Sequence, residues 1–431
     1  MNNTTPAPRT IALHARTGSQ NRRLQTLVSA AAAAGIIGLA LPASAQTFEI
    51  IAQRNQEAPQ SGGATFSIIK PESVAISASG EVVFHSTLRG SGVRSSNNEG
   101  LYTSIGLAAR KGDIPAGISD ARISRFIGVP DVNASGEVSY TASLTGDRTR
   151  NVGVFTSSRR IARKGDLARG ANGADFLTFF APKINASGDV AFMARLGGAG
   201  VSRANDDAIF VGGQLKVGER RGDAPGLFGA PIGTLQGALG LSDSGDVSFI
   251  AVLASEGIGV RGDNNRAVFT NGNVVARKGN EVPGTDREGF RGVFSNTSIS
   301  SADEVAFFDE VVTDDGFKDI IVGPQGVVAR QDEVVPGVGL INETSRTPSI
   351  NVHRQIAFTA TVDRESVLLV ADENGERSVV LRRGDLLDLG NGVSRTVRTI
   401  KVGPSGLNDA GQIAAGVTFI DGHRAVVRIT L

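Results

Sequence analysis

"INASGDVAFMARL", Ile184 to Leu196, joins a turn to a strand. Asn-Ala-Ser-Gly supplies residue types that suit a tight turn. In the run that follows, Val190, Phe192, Ala194 and Leu196 share one face by period-two alternation. Ala191 and Met193 make the other face apolar as well, so the strand needs cover on both sides. The stretch recurs as "ISASGEVVFHSTL" from Ile76, "VNASGEVSYTASL" from Val132 and "LSDSGDVSFIAVL" from Leu241. Aligned on Gly188, the copies centre on Gly80, Gly136, Gly188, Gly245, Asp303, Arg354 and Gly411, at steps of 51 to 58 residues.

A second motif keeps the same period. It reads "AARKGDIPAG" from Ala108, "IARKGDLARG" from Ile161, "GERRGDAPG" from Gly218, "VARKGNEVPG" from Val275, "VARQDEVVPG" from Val328 and "VLRRGDLLDLG" from Val380. A degenerate copy, "IAQRNQEAPQ", begins at Ile51. A third motif is a short β-rich run, such as "GVFTS" at Gly153 and "AIFVG" at Ala208. Each unit then reads as four antiparallel strands. Units of this length without disulfides are marginal alone, and a β-solenoid uses shorter repeats. The expected fold is all-β: a seven-bladed β-propeller of four-stranded antiparallel blades. The last unit lacks a fourth strand, and "FEIIAQRN", Phe48 to Asn55, matches what is missing. An N-terminal strand should therefore complete the last blade. The expected layout is a signal peptide over 1–45 and a propeller over 46–431. Blades fall near 62–116, 117–170, 171–225, 226–284, 285–337 and 338–388, with the seventh at 389–431 plus 46–59.

The turn resembles that of TolB-like propeller repeats, which also set a polar Gly turn between the innermost strand and the next. "LNDAGQIAAG" from Leu407 and "GERRGDAPG" from Gly218 are more similar to a family of exported bacterial repeat proteins, mostly uncharacterised. That resemblance covers nearly the whole chain after residue 45. It implies the propeller fold and carries no catalytic residues across.

Export is read from the N-terminus. Arg16, Arg22 and Arg23 precede the apolar run Leu27–Pro42, and "ASA" follows at Ala43–Ala45. This is the layout of a cleavable secretory signal. A periplasmic or extracellular monomer with no stable membrane anchor after cleavage is expected. A formal net charge of +1 gives no argument for nucleic acid. With no cysteine, disulfides, thiolate metal sites and a cysteine nucleophile are excluded.

No catalytic constellation stands out. His85, His353 and His423 occupy different places in different repeats. "GIGVRG" at Gly257–Gly262 matches a dinucleotide string but falls between two strands, with no helix to follow. Three Arg-Gly-Asp tripeptides begin at Arg221, Arg261 and Arg383. Two are copies of the second motif, so a turn explains them better than adhesion. No cofactor is expected. Calcium is the weak exception, because Asn205, Asp206, Asp207 and Asp263, Asn264, Asn265 cluster hard oxygen ligands at equivalent loop sites. The bland reading is a loop capped by its own side chains. Lys70, Glu72, Arg125, Asp131, Lys183, Arg291, Glu343, Arg346 and Lys401 lie on strand-one segments and should line the channel. Expected, then, is a binding or scaffold module for an unknown protein or glycan ligand. The alternative is a carbohydrate- or ester-active hydrolase or lyase at the channel mouth. The repeated acids Asp113, Asp166, Asp223 and Asp385 are expected to brace the chain where it leaves one blade for the next.

Overall fold

The computed structural model describes residues 46–390 and 392–431; the signal-peptide reading lies outside them. They form seven antiparallel sheets arranged as a β-propeller. Blade two shows the plan: Ile123–Val132 innermost, then Val138–Leu144, Val152–Thr156 and Arg160–Arg163 outermost. Blade seven is built from Ser394–Lys401, Gln412–Phe419, Arg424–Thr430 and then Thr47–Gln53 from the start of the propeller. That last pairing runs antiparallel from Thr47 opposite Thr430 to Gln53 opposite Ala425.

The second strand of each blade is buried on both faces, as its two-sided apolar pattern requires. Val190, Ala191, Phe192, Ala194 and Leu196 are all buried. Phe192 and Ala194 face one inter-blade core, while Ala191 and Met193 face the next. One repeated strand thus serves two interfaces, which is why both of its faces are mainly apolar.

The turn has a backbone reason and a packing reason. The residue aligned with Gly188 has positive φ in all seven blades, including Asp303 (62°) and Arg354 (58°), where glycine is absent. Three residues earlier sits Asn in four blades and Ser in the other three (Ser77, Ser242 and Ser300), and where it is Asn its amide can do two jobs. The Asn408 Oδ1 accepts the Ala410 and Gln412 N–H groups, while its Nδ2 donates to the Ser77 carbonyl of blade one at 2.9 Å. Asn185 reaches Ser242 and Asn351 reaches Asn408 in the same way. The turn is therefore also a staple between neighbouring blades.

The second motif clamps loops. Arg110, Arg163 and Arg277 each donate Nε to the carbonyl thirteen residues earlier: Asn97, Arg150 and Asn264. Lys164 and Lys278 take the Arg148 and Gly262 carbonyls of the same loops. The acid caps its own turn: Asp166 Oδ2 accepts the Arg163 N–H at 2.9 Å, and Asp385 Oδ2 the Arg382 N–H at 2.8 Å. Beyond it, the Pro-Gly portion lies over the outermost strand of the next blade. A Cβ on Gly117 (φ +77°) would come within 3.0 Å of the Arg160 backbone nitrogen. In the ring's closing step, the Gln53 Nε2 donates to the Leu389 carbonyl. Covering the outer strands in this way blunts edges that otherwise invite pairing with other chains.

One expectation fails here. Asp223 does not occupy the place of Asp166. The turn bond Asp166 N–H to Arg163 O is made in blade three by Arg221 N–H to Gly218 O. Asp223 forms instead the isolated bridge with Pro231 that Leu167 forms with Asp175. One extra residue shifts the motif, so matching letters hide unmatched positions. Asp166→Ala should therefore cost on the order of 1 kcal/mol, the usual worth of such a bond. Asp223→Ala should leave the urea midpoint unchanged; an equal loss in both variants would contradict this register.

Candidate functional site

The innermost strands do not run straight. In blades one, two and four their pairing skips residues: from Ile69 to Val74, Ile127 to Asp131 and Gln236 to Gly240. In blades three and six the strand is split outright, at Phe179–Lys183 and Thr344–Ser349. Prolines mark four of these breaks (Pro71, Pro130, Pro182 and Pro348), because proline cannot donate to a ladder; the blade-four break carries none. The bulged residues turn inward around the axis.

Blade seven contributes a longer crossing, and it closes the channel. Pro404 offers its carbonyl to the Ser298 and Ser349 hydroxyls of blades five and six, at 2.8 and 3.0 Å. Ser349 Oγ in turn accepts the Gly406 and Leu407 N–H groups. Ser405 accepts the Ile76 N–H of blade one on its carbonyl and the Lys183 ammonium of blade three on its hydroxyl, at 2.6 Å. Residues 402–407 thus form a floor held from four blades. On one side lies a shallow hollow of about 130 Å³ among the turns. On the other is a cavity of about 400 Å³, walled by inserted residues from all seven inner strands.

Four of the nine channel candidates line this cavity: Glu72, Lys183, Arg346 and Lys401. Asp131 stands behind Lys183, its Oδ1 3.8 Å from the ammonium and its Oδ2 accepting the Ile184 N–H. Arg125 and Glu343 belong to the paired first halves of their strands, opposite Ser143 and Thr361, and are exposed. Arg291 pairs with Glu310 and lies over the Phe317 ring, 3.5 Å from its centroid. Lys70 stands near His85 rather than on the wall; its charge, after burial, helps push that imidazole down to about 4. The sequence reading missed the floor, because inserted residues carry no period of their own.

The chemistry of the cavity is narrow. Among the residues that line it, Glu72 is the one carboxylate, so no acid pair spans the space as glycoside hydrolysis requires. The Lys183–Ser405 contact has the look of a nucleophile and base. Yet Lys183 forms an ion pair with Asp131 and donates to Ser405, and an ammonium has no lone pair to take the proton. The contact ties the floor to blade three. Two larger hollows, about 460 and 440 Å³, lie in outer grooves between blades two and three and blades four and five. Each repeats the same strand-four and Phe-pair lining (Phe176 with Phe192, Phe290 with Phe307), as expected of a packing groove.

The oxygen-rich loops resolve into caps. Asn205 Oδ1 accepts the Ser202 N–H at 2.7 Å and its Nδ2 donates to the Gly200 carbonyl. Asn264 does the same with Arg261 and Gly259, and Asn97 with Arg94 and Gly92. Asn265 holds the Leu253 N–H with its own carbonyl, and Asp263 is exposed. Asp206 and Asp207 instead meet Glu219, all three carboxylates within 4.8 Å. Arg195 lies against both aspartates, supplying the positive charge a cation would otherwise bring. Burial, with Asp207 and Asp206 adding to it, holds Glu219 above the usual carboxylate range, while it accepts the Asp207 and Leu235 N–H groups. In blade four the same place is taken by Lys278, so the cluster does not repeat.

A family model described as "Family of unknown function (DUF7453)" matches twice, over residues 21–223 and 212–427. No curated protein sequence matches the chain. Among solved structures, the Dos1 propeller aligns with a TM-score of 0.36 and 9% identity, covering 89% of this chain and 88% of its own. The polysaccharide lyase Uly1 aligns at 0.39 and 9%, covering 84% and 91%. A PL25 ulvan lyase aligns at 0.38 and 10%, covering 87% and 93%.

Proposed function

The chain belongs to DUF7453, a family of unknown function, and from that premise we propose that it is an exported, non-catalytic binding module whose ligand enters the floored central cavity. The observation that carries this reading is the cavity itself. Seven inner strands wall it, one inserted segment closes it, and its one lysine–serine pair is engaged in holding that segment, with the lysine also paired to Asp131. Rigid strands presenting inserted residues make a preformed site, and such sites occur preferentially at concave, mostly apolar positions.

Turnover is the discriminating measurement. Incubated with p-nitrophenyl acetate and butyrate, and with a panel of neutral and uronate-bearing polysaccharides, the protein should release product no faster than buffer. Turnover that disappears in Ser405→Ala or Lys183→Met would overturn the non-catalytic reading and put a hydrolase or lyase in its place.

A further inference from the structure

We propose that the central cavity takes a small amphipathic carboxylate, with its apolar body against the walls and its charge toward Lys401. This deepens the reading above and rests on the cavity being the ligand site. Three observations point to that class.

The walls are aliphatic. Val74, Val129, Ala238, Leu239 and Val402 contribute, and no lining residue is aromatic. A sugar would find neither a ring to stack on nor enough polar partners, and its buried hydroxyls would lose water without compensation. Size points the same way: about 400 Å³ lies near the small end of ligand pockets, roughly 300–1,000 Å³. That suits a single ring or a short alkyl chain.

The charge is unbalanced toward positive. Lys183 is answered by Asp131, and Glu310 is shared between Arg291 and Arg346. Among the described residues, Lys401 and Glu72 have neither an ion-pair nor a hydrogen-bond partner. On the wall itself three cations, Lys183, Arg346 and Lys401, stand with one carboxylate, Glu72, so the lining favours an anion. An anion whose apolar body lies against the aliphatic walls gives the exposed, unpaired Lys401 a partner. Glu72, which also lines the cavity, penalises a dianion.

Isothermal titration calorimetry tests this with octanoate, phenylacetate, octylamine and glucuronate. Octanoate and phenylacetate should bind, with octylamine and glucuronate at least about tenfold weaker. Lys401→Glu should weaken octanoate by about tenfold or more, and raised salt should act in the same direction. Ala238→Trp fills the cavity and should abolish binding; Val129→Phe serves where that variant fails to fold. Equal binding of octylamine or glucuronate, or no binding of either carboxylate, overturns the ligand class. If Ala238→Trp and Val129→Phe fold and still bind octanoate normally, the cavity is not the site, and the reading beneath this one falls with it.

Discussion

Removing Thr47–Gln53 should unfold the whole ring rather than fray one blade. The segment buries Phe48 and Ala52, packs Ile50 against the blade-seven core and satisfies the backbone of Arg424–Thr430. Losing those side chains costs about 2–3 kcal/mol for each large one. Each orphaned ladder bond adds about 1 kcal/mol. The sum approaches ~10 kcal/mol, within the whole stability of an ordinary domain, about 5–15 kcal/mol. The damage also spreads, because Gln53 holds the loop from blade six, and Gln60 and Ser61, just beyond, cover the outer strand of blade one. The melting temperature should fall by on the order of 10 °C or more, with one transition replaced by aggregation or several. A permuted chain starting at Gly62, with residues 46–61 linked after Leu431, should keep its single transition. A deletion variant that melts like the parent would mean that the ring is not closed by this strand.

The second large effect is hidden in the parent protein and appears in two variants. His85 is buried between blades one and two, its ring edge-on to Phe126. Burial, then the charge of Lys70, pushes it down to about 4, although Glu99 opposes both. Asp309 is buried in blade five. Burial pushes it up to about 6 against the Gly292 and Val293 N–H groups it accepts. The signs are opposite. The His85 contribution is whole above its unfolded value of 6.5 and is lost as pH falls toward 4. The Asp309 contribution is whole below 3.8 and is lost as pH rises through 6. Each is worth about 3 kcal/mol over its window, and between pH 4 and 6 they largely cancel. Asp309→Asn should therefore gain stability from pH 4 to 6.5 relative to the parent, and His85→Gln should lose it. Urea unfolding at pH 4, 5, 6 and 7 reads the difference, from which other carboxylates drop out. Two variants tracking the parent at every pH would refute both assignments.

The blades were legible because their repeat is imposed twice over. A strand such as Val190–Gly197 must satisfy two inter-blade cores, and a turn such as Asn185–Gly188 must both reverse the chain and staple its neighbour. Constraints of that kind leave the same letters at each copy. Closure was legible because "FEIIAQRN" carries an outer strand's pattern where the last unit lacks one. The site was legible only in part. Lys183, Glu72, Arg346 and Lys401 could be guessed from their strands. The floor at 402–407 could not, because it interrupts the register by which strand faces are counted. Its one trace is the proline at 404, a residue type that also interrupts four of the inner strands. Asp223 misled for a related reason: one inserted residue moves a side chain without altering the motif. Glu219 left no trace, since it recurs in no other blade.

The floor gives the molecule an order of assembly. Residues 402–407 come from the blade whose outermost strand is Thr47–Gln53 and whose other strands are made last. During synthesis the earliest strand of the ring waits, unpaired, for the latest, and the chamber has no base until they meet. On the proposed reading, a partly made or truncated chain would hold no ligand. Occupancy of the chamber would then report that the ring has closed, since the site would depend on the same bonds that shut it.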